Sequence, residues 1–326
     1  MDWYGLYGPA LNEAHEPIVV LGIDLGTTYS TVSRIEWCGD PAVAPELEVL
    51  QIAQRTSAGT KRTALVPSVV AVKPDTTVVV GEEAVDFRKG ASAPLFPGRD
   101  YFENTKNEIG TNRRYPSARV AGLDSPVGVA SSVLEFLMSS VHRDFPDDGF
   151  DRIVVTVPAS FQLTQREDTI SAAERAGLKV LSHDLLDEPV AAMLTRLGEI
   201  GAGSGGERRA VVIDFGGGTC DIALLRYADT PSGIEVEVAG TSRYSRLGGS
   251  DIDRAIAVQH LLPRLANANG VNVRSWSYPQ RNAVLIPALQ PVAEELKLKM
   301  SAAIHDRKRI GRGWCWRPRR VMTRAS

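Results

Sequence analysis

Ile18-Val19-Val20-Leu21-Gly22-Ile23-Asp24-Leu25-Gly26-Thr27-Thr28 has a near copy further along the chain, Ala210-Val211-Val212-Ile213-Asp214-Phe215-Gly216-Gly217-Gly218-Thr219. Asp24 and Asp214 stand 190 residues apart. Each stretch is an apolar, strand-like run ending in Asp, then one apolar residue, then glycine and small hydroxylated residues. Alone, either is an ordinary strand running into a glycine turn with a solvated aspartate. Together they predict a duplicated fold with one phosphate-binding hairpin per half, the two facing each other across a cleft. Glycine lets the backbone turn sharply and approach a phosphate. The N–H groups of Thr27, Thr28, Gly217, Gly218 and Thr219 are then free to cradle phosphate oxygens. Two carboxylates aimed at one cleft suit a hydrated Mg²⁺, which keeps waters and binds through few carboxylates plus phosphate.

Composition bounds the class. The 326 residues are enough for two domains with a sizeable core, and 43% hydrophobic with 23% charged content reads as globular. The formal charge of −2 hides an asymmetry: residues 306–326 hold eight Lys/Arg and one acid, leaving −9 on the rest. Three cysteines (Cys38, Cys220, Cys315) form no CxxC pair and no metal-ligand spacing, which argues for a reducing compartment. Residues 1–17 carry no Lys or Arg, and no apolar run approaches the roughly 18 residues a bilayer span needs. The expectation is a cytoplasmic protein with no membrane partner.

Strands and helices interleave, so the class is α/β. Residues 18–37 read as a hairpin, with short strands at 47–53, 66–72 and 77–80 and a small lobe with an early helix over 81–127. A helix is expected at 128–145, a strand at 153–158, a helix at 162–176 ended by Gly177, and a short strand at 178–182. Glu188-Pro189 opens a further helix to about Leu197, followed by a glycine-rich connector. Strand alternation resumes at 234–239, with helices near 251–268 and 283–303. The domain plan is an arm (1–17), a first lobe (18–197) with an inserted sublobe at about 55–127, a connector (198–209), a partial second lobe (210–305) and a basic tail (306–326).

Six motifs in order tie residues 18–303 to a family: GIDLGTTYS at 22–30, VVTVPASF at 154–161 with Gln165-Arg166, DEPVAAML at 187–194, DFGGGTCD at 214–221, RLGGSDID at 246–253 and EELKLKMSAA at 294–303. They resemble the nucleotide-binding domain of the heat shock protein 70 (DnaK-type) chaperone family, within the actin-like ATPase superfamily. The resemblance implies the ribonuclease H-like duplicated fold, two lobes around a nucleotide cleft, with the second lobe incomplete. It implies ATP or ADP with Mg²⁺ as ligands and admits K⁺ as a further ion. Gly26, Thr27, Thr28 and Tyr29 would hold phosphates from the first loop, and Gly216, Gly217, Gly218 and Thr219 from the second, with Gly248 and Gly249 beside them. Asp24 and Asp214 would hold Mg²⁺ through water. Lys106 falls where the family has a lysine beside the γ-phosphate, Glu188 would orient the attacking water, Thr219 would lie near the γ-phosphate, and Asp221 would assist as a base or ion ligand. Glu294, Lys297 and Ser301 share a helical face that would meet adenosine. Pro158 and Arg166 match an interdomain signalling pair. Co-chaperones or a nucleotide-exchange factor are the implied partners.

After Ala303 the family's third glycine motif and closing helices are not found, and His305 to Pro318 show no helical or strand period. The expectation is an out-of-frame or replaced terminus, no peptide-binding domain, and an open sheet edge in the second half. The tail's Arg and Trp leave a strand-binding alternative open, though no folded nucleic-acid motif accompanies them. Functionally, a chaperone-type ATPase domain stands first. An inactive fragment or interaction module, and a sugar or metabolite kinase of the same superfamily, remain as alternatives.

Overall fold

A computed structural model describes residues 17–38, 43, 45–91, 95–146, 149–200, 206–230, 233–243, 245 and 247–310. The arm at 1–16 and the tail beyond 310 lie outside the described residues. The chain divides into two compact units, Met1–Gly248 and Gly249–Ser326.

The first unit opens with β1 (Ile18–Asp24), β2 (Tyr29–Trp37), β3 (Glu46–Val49), β4 (Ile52–Thr56), β5 (Gly59–Thr63), β6 (Val66–Pro67), β7 (Val70–Val72) and β8 (Val78–Val80). Then follow α1 (Glu82–Gly90), β9 (Tyr101–Phe102), a 3-10 turn (Thr105–Glu108), α2 (Pro126–Asp144), β10 (Arg152–Val157), α3 (Leu163–Arg175), β11 (Leu185–Asp187), α4 (Glu188–Ile200), β12 (Arg208–Phe215), β13 (Cys220–Thr230) and β14 (Gly233–Thr241). The class is mixed α/β, as expected.

The main sheet runs β11-β10-β1-β2-β3, with β6 also on β2. β1 is its centre, antiparallel to β2 and parallel to β10. This explains its nearly continuous apolar run: a strand covered on both faces cannot alternate. Leu21 and Ile23 enter the large core, while Ile18 and Val20 pack with Trp37 on the other side. α2 supplies the facing layer through Val129, Val133, Leu134, Leu137, Met138 and Val141, all buried. Burial of each larger side chain contributes about 1.5–3 kcal/mol. Ser125 caps α2 by accepting from Gly128 N, and Pro126 sits in its first turn.

β12, β13 and β14 form a separate antiparallel sheet. Ala223 and Leu225 pack there against Met193 and Leu197 of α4. Among the described residues β12 is an edge strand, and Val211, Ile213 and Phe215 are exposed on one face of it.

The second unit is helical: α5 (Gly249–Ile256), a π turn (Ala257–Leu261), α6 (Leu262–Ala268), a 3-10 turn (Val273–Ser275), a second π turn (Gln280–Leu285) and α7 (Ile286–Ile310). Two expected helices are therefore interrupted. Each π turn is followed by a proline within two residues, Pro263 and Pro287, whose missing N–H prevents the ordinary ladder from continuing. α7 also runs past the expected end, taking in 306–310 of the basic tail. Helix formers without an apolar stripe carry no period to read.

The expected strand at 178–182 is corrected. Leu178 and Val180 are buried, but Leu178 N donates to Ala173 O to close α3, and the Asp184 carboxylate takes Leu181 N. With those backbone groups used locally, the paired strand forms only at Leu185–Asp187. The expected connector is shortened too, because α4 continues through Ile200.

Candidate functional site

The first loop lies between β1 and β2. Gly26 is required there: a β-carbon on it would lie 2.0 Å from Tyr29 O. Ser68 Oγ donates to Gly26 O at 2.8 Å, pairs with Ser30 Oγ at 2.9 Å, and its backbone N–H donates to Thr28 O at 2.8 Å. Ser68 thus clamps the loop from below. Sequence inspection missed it, although a serine inside the apolar run 66–72 was the available signal. Asp24 leaves β1 opposite Thr156 of β10, whose hydroxyl donates to Asp24 Oδ1 at 2.8 Å.

The second loop joins β12 to β13. Asp214 and Asp221 are direct cross-strand partners, so their side chains share one face. Gly216 N donates to Thr219 O at 2.9 Å, closing the turn. The Ser160 hydroxyl, just after β10, donates to Asp221 Oδ1.

The two loops touch. A β-carbon on Gly217 would lie 1.8 Å from Thr28 Oγ1, and one on Gly218 would lie 2.5 Å from Asn107 Nδ2 and 2.7 Å from Thr27 Cγ2. One on Gly248 would lie 2.6 Å from Gly218 N. Gly217 and Gly218 therefore meet Thr28 and Thr27, and Gly248 packs on the backbone of Gly217 and Gly218.

Lys106 reaches this region from the 3-10 turn Thr105–Glu108. Ile109 anchors that turn in the core, Gly110 N donates to Asp168 Oδ2 at 2.9 Å, and the Tyr115 hydroxyl donates to Glu108. Lys106 Nζ lies 2.6 Å from Glu188 Oε1, both side chains being largely buried. Burial alone would lower the Lys106 ammonium, but the Glu188, Asp24 and Asp214 carboxylates outweigh it and hold its pKa above the ordinary lysine value. Burial lifts the Glu188 carboxyl despite the Lys106 attraction. Burial, then the neighbouring Asp221 and Asp24 charges, lift Asp214. The site therefore sets Asp24, Asp214, Asp221 and Glu188 against a single ammonium, a donor set short of positive charge that a divalent cation complements. Among the described residues no group of three or more His, Cys, Asp or Glu is arranged to hold a metal ion.

Tyr29 begins β2 and is partly exposed. Arg166 of α3 donates to Asp187, the residue before Glu188, and to Phe161 O at 3.3 Å, while Pro158 follows the last residue of β10. Gly249, Glu294, Lys297 and Ser301 belong to the second unit. There Lys297 Nζ pairs with Asp253 Oδ2 at 2.8 Å and donates to Gly249 O at 3.3 Å, tying α7 to α5. Glu294 is half-buried and Ser301 is exposed on α7.

Two glycine loops in contact, with a buried lysine–carboxylate pair, thus stand within one mixed α/β unit. The family described as Hsp70 protein matches residues 103–311, and the chain belongs to that family. It is 32% identical over 253 residues to the Chaperone protein HscA homolog of Acinetobacter baumannii, covering 74% of this chain and 37% of that protein. It is 29% identical over 288 residues to the Chaperone protein dnaK of Gracilaria tenuistipitata var. liui, covering 87% of this chain and 43% of that protein. The chain thus spans less than half the length of these curated relatives. The family carries the actin-like ATPase fold. No helix among the described residues is long and apolar enough to cross a membrane.

Proposed function

We propose that this chain binds ATP and hydrolyses it as an Hsp70-type nucleotide-binding domain, with two lobes meeting around the nucleotide. The carrying observation is the contact of the two glycine loops, Gly217 against Thr28 and Gly218 against Thr27, beside the Lys106–Glu188 pair. Backbone N–H groups of Thr27, Thr28, Gly217, Gly218 and Thr219 receive the phosphate oxygens, with Gly26, Tyr29, Gly216 and Gly248 shaping the loops. Asp24 and Asp214 would hold Mg²⁺ through water, and the ion would supply neutralisation of phosphate charge.

Lys106 directs its ammonium to the γ-phosphate, and the Thr219 hydroxyl lies beside it. Glu188 orients the attacking water and accepts its proton, helped by Asp221. Burial raises its pKa, which makes its carboxylate a better proton acceptor. Positioning and charge neutralisation do most of the catalysis in such a transfer. Glu294, Lys297 and Ser301 share the helical face that the family resemblance gives to adenosine. Arg166 touches the residue before Glu188, which supports a signalling role for it and Pro158. Co-chaperones or an exchange factor, K⁺ as a second ion, and a cytoplasmic setting complete the proposal.

Isothermal titration with Mg-ATP tests it. Binding at micromolar to submillimolar nucleotide, lost on Asp214→Ala or Thr219→Ala, is the expected result. No heat at millimolar nucleotide would overturn the ATPase and leave a non-enzymatic module.

A further inference from the structure

The Asn107 side chain lies against both glycine loops. Its Oδ1 accepts from Thr27 Oγ1 of the first loop at 3.4 Å. Its Nδ2 is so close to Gly218 of the second loop that a β-carbon there would sit 2.5 Å away. It directly follows Lys106 on the same 3-10 turn, so its backbone is placed by the Ile109 anchor and the Asp168 bond to Gly110.

Three features set this carboxamide apart from a packing residue. At 3.4 Å the bond from Thr27 is at the long end for O–H···O, so it exchanges readily for a better acceptor. A phosphate oxygen is such an acceptor, and a charge-assisted bond is about twice as strong as a neutral one. The amide also presents two N–H donors without adding charge to a site that already carries the Lys106 ammonium.

We infer that Asn107 reads the terminal phosphate of a nucleoside triphosphate. The Thr27 hydroxyl transfers its hydrogen bond from Asn107 Oδ1 to a γ-phosphate oxygen, and Asn107 Nδ2 donates to the same phosphoryl group. A diphosphate, which lacks that group, leaves Asn107 on Thr27. Asn107 is thereby a specificity residue for triphosphate over diphosphate. This role rests on the nucleotide assignment made above.

The test is isothermal titration of the full chain with Mg-ATP and with Mg-ADP, for the wild type, Asn107→Ala and the near-isosteric Asn107→Asp. Circular dichroism melts accompany each protein. Asn107→Ala is expected to weaken ATP about tenfold and ADP less than twofold. Asn107→Asp sets a carboxylate against the phosphate and is expected to weaken ATP further, with the melting curve unchanged. If the wild type binds both nucleotides and neither substitution alters the ATP-to-ADP affinity ratio, Asn107 does not read the terminal phosphate, while the nucleotide assignment stands. If the wild type binds neither nucleotide, both fail together.

Discussion

Lys106 Nζ and Glu188 Oε1 lie 2.6 Å apart, joining a 3-10 turn to the first residue of α4 across 82 positions of sequence. The pair stands beside Asp24 and Asp214 of the two repeated strands, so charge from four separate segments is concentrated at one place. Glu188→Gln preserves the shape and removes the proton acceptor. ATP turnover is expected to fall about a hundredfold or more with ATP affinity nearly unchanged. A turnover assay beside a binding titration checks this, and equal losses in both would deny Glu188 its role in the chemical step.

The glycines of the second loop are not equivalent. A β-carbon on Gly216 meets nothing nearer than Thr219 O at 3.6 Å, an ordinary contact. On Gly217 it would strike Thr28 Oγ1 at 1.8 Å. Gly216→Ala is therefore expected to keep nucleotide affinity within about threefold, whereas Gly217→Ala loses more than tenfold. The reverse order in a titration series would show that the loop contact is wrongly placed.

Ser160 sits in the β10–α3 turn, outside both glycine loops, yet its hydroxyl donates to the buried Asp221 carboxylate. Ser160→Ala leaves that carboxylate short of a donor, at a cost of about 1–3 kcal/mol in urea unfolding. Ser160→Thr keeps a hydroxyl and is expected to recover most of the loss.

Far from the site, the buried Asp100 carboxylate accepts from Phe96 N and from Arg99. Burial would raise its pKa, but the Arg99 bond, the Phe96 N–H and the Arg119 charge prevail and hold it below the ordinary aspartate value. A depressed folded-state pKa means stability that is fully present above the unfolded pKa and lost as pH falls through the folded one. The unfolding free energies of wild type and Asp100→Asn are expected to differ most at about pH 6 and to draw together as pH falls below the ordinary aspartate range. A difference that stayed constant over that range would show that the carboxylate charge is not what stabilises the loop.

Leu134 is fully buried in the α2 face of the main core. Leu134→Ala is expected to cost about 2–5 kcal/mol in denaturant unfolding. Nucleotide affinity of the folded fraction should not change, because α2 contributes no group to the loops.

Much of this was legible in order along the chain. The apolar run into Asp24-Leu25-Gly26 and its copy at Asp214 announced two strand–turn units, because glycine and aspartate at a strand end have few other uses. The α3 boundaries were equally readable, since Gln162 and Gln165 form a capping box and Gly177 takes φ +78°. The failures had local causes. At 178–182 an apolar alternation meant burial without pairing, because Asp184 and α3 had already claimed the backbone groups. In the second unit Pro263 and Pro287 follow turns that periodicity reads as continuous helix.

Sequence alone determined the α/β class and the family, and it marked Asp24, Asp214, Lys106 and Glu188 as candidate groups. The two aspartates follow from residue types whose spacing is short and whose physics is local, and the lysine and glutamate from the family resemblance. Tertiary structure decided which of them meet. The partners of Lys106, of Asp221 and of Gly218 lie 82, 61 and 111 residues away, respectively Glu188, Ser160 and Asn107. No periodicity reaches that far. Only the closing of the loops through Ser68 and the anchoring of the 3-10 turn by Ile109 bring those partners together, by burial and hydrogen bonding that no short stretch of sequence contains.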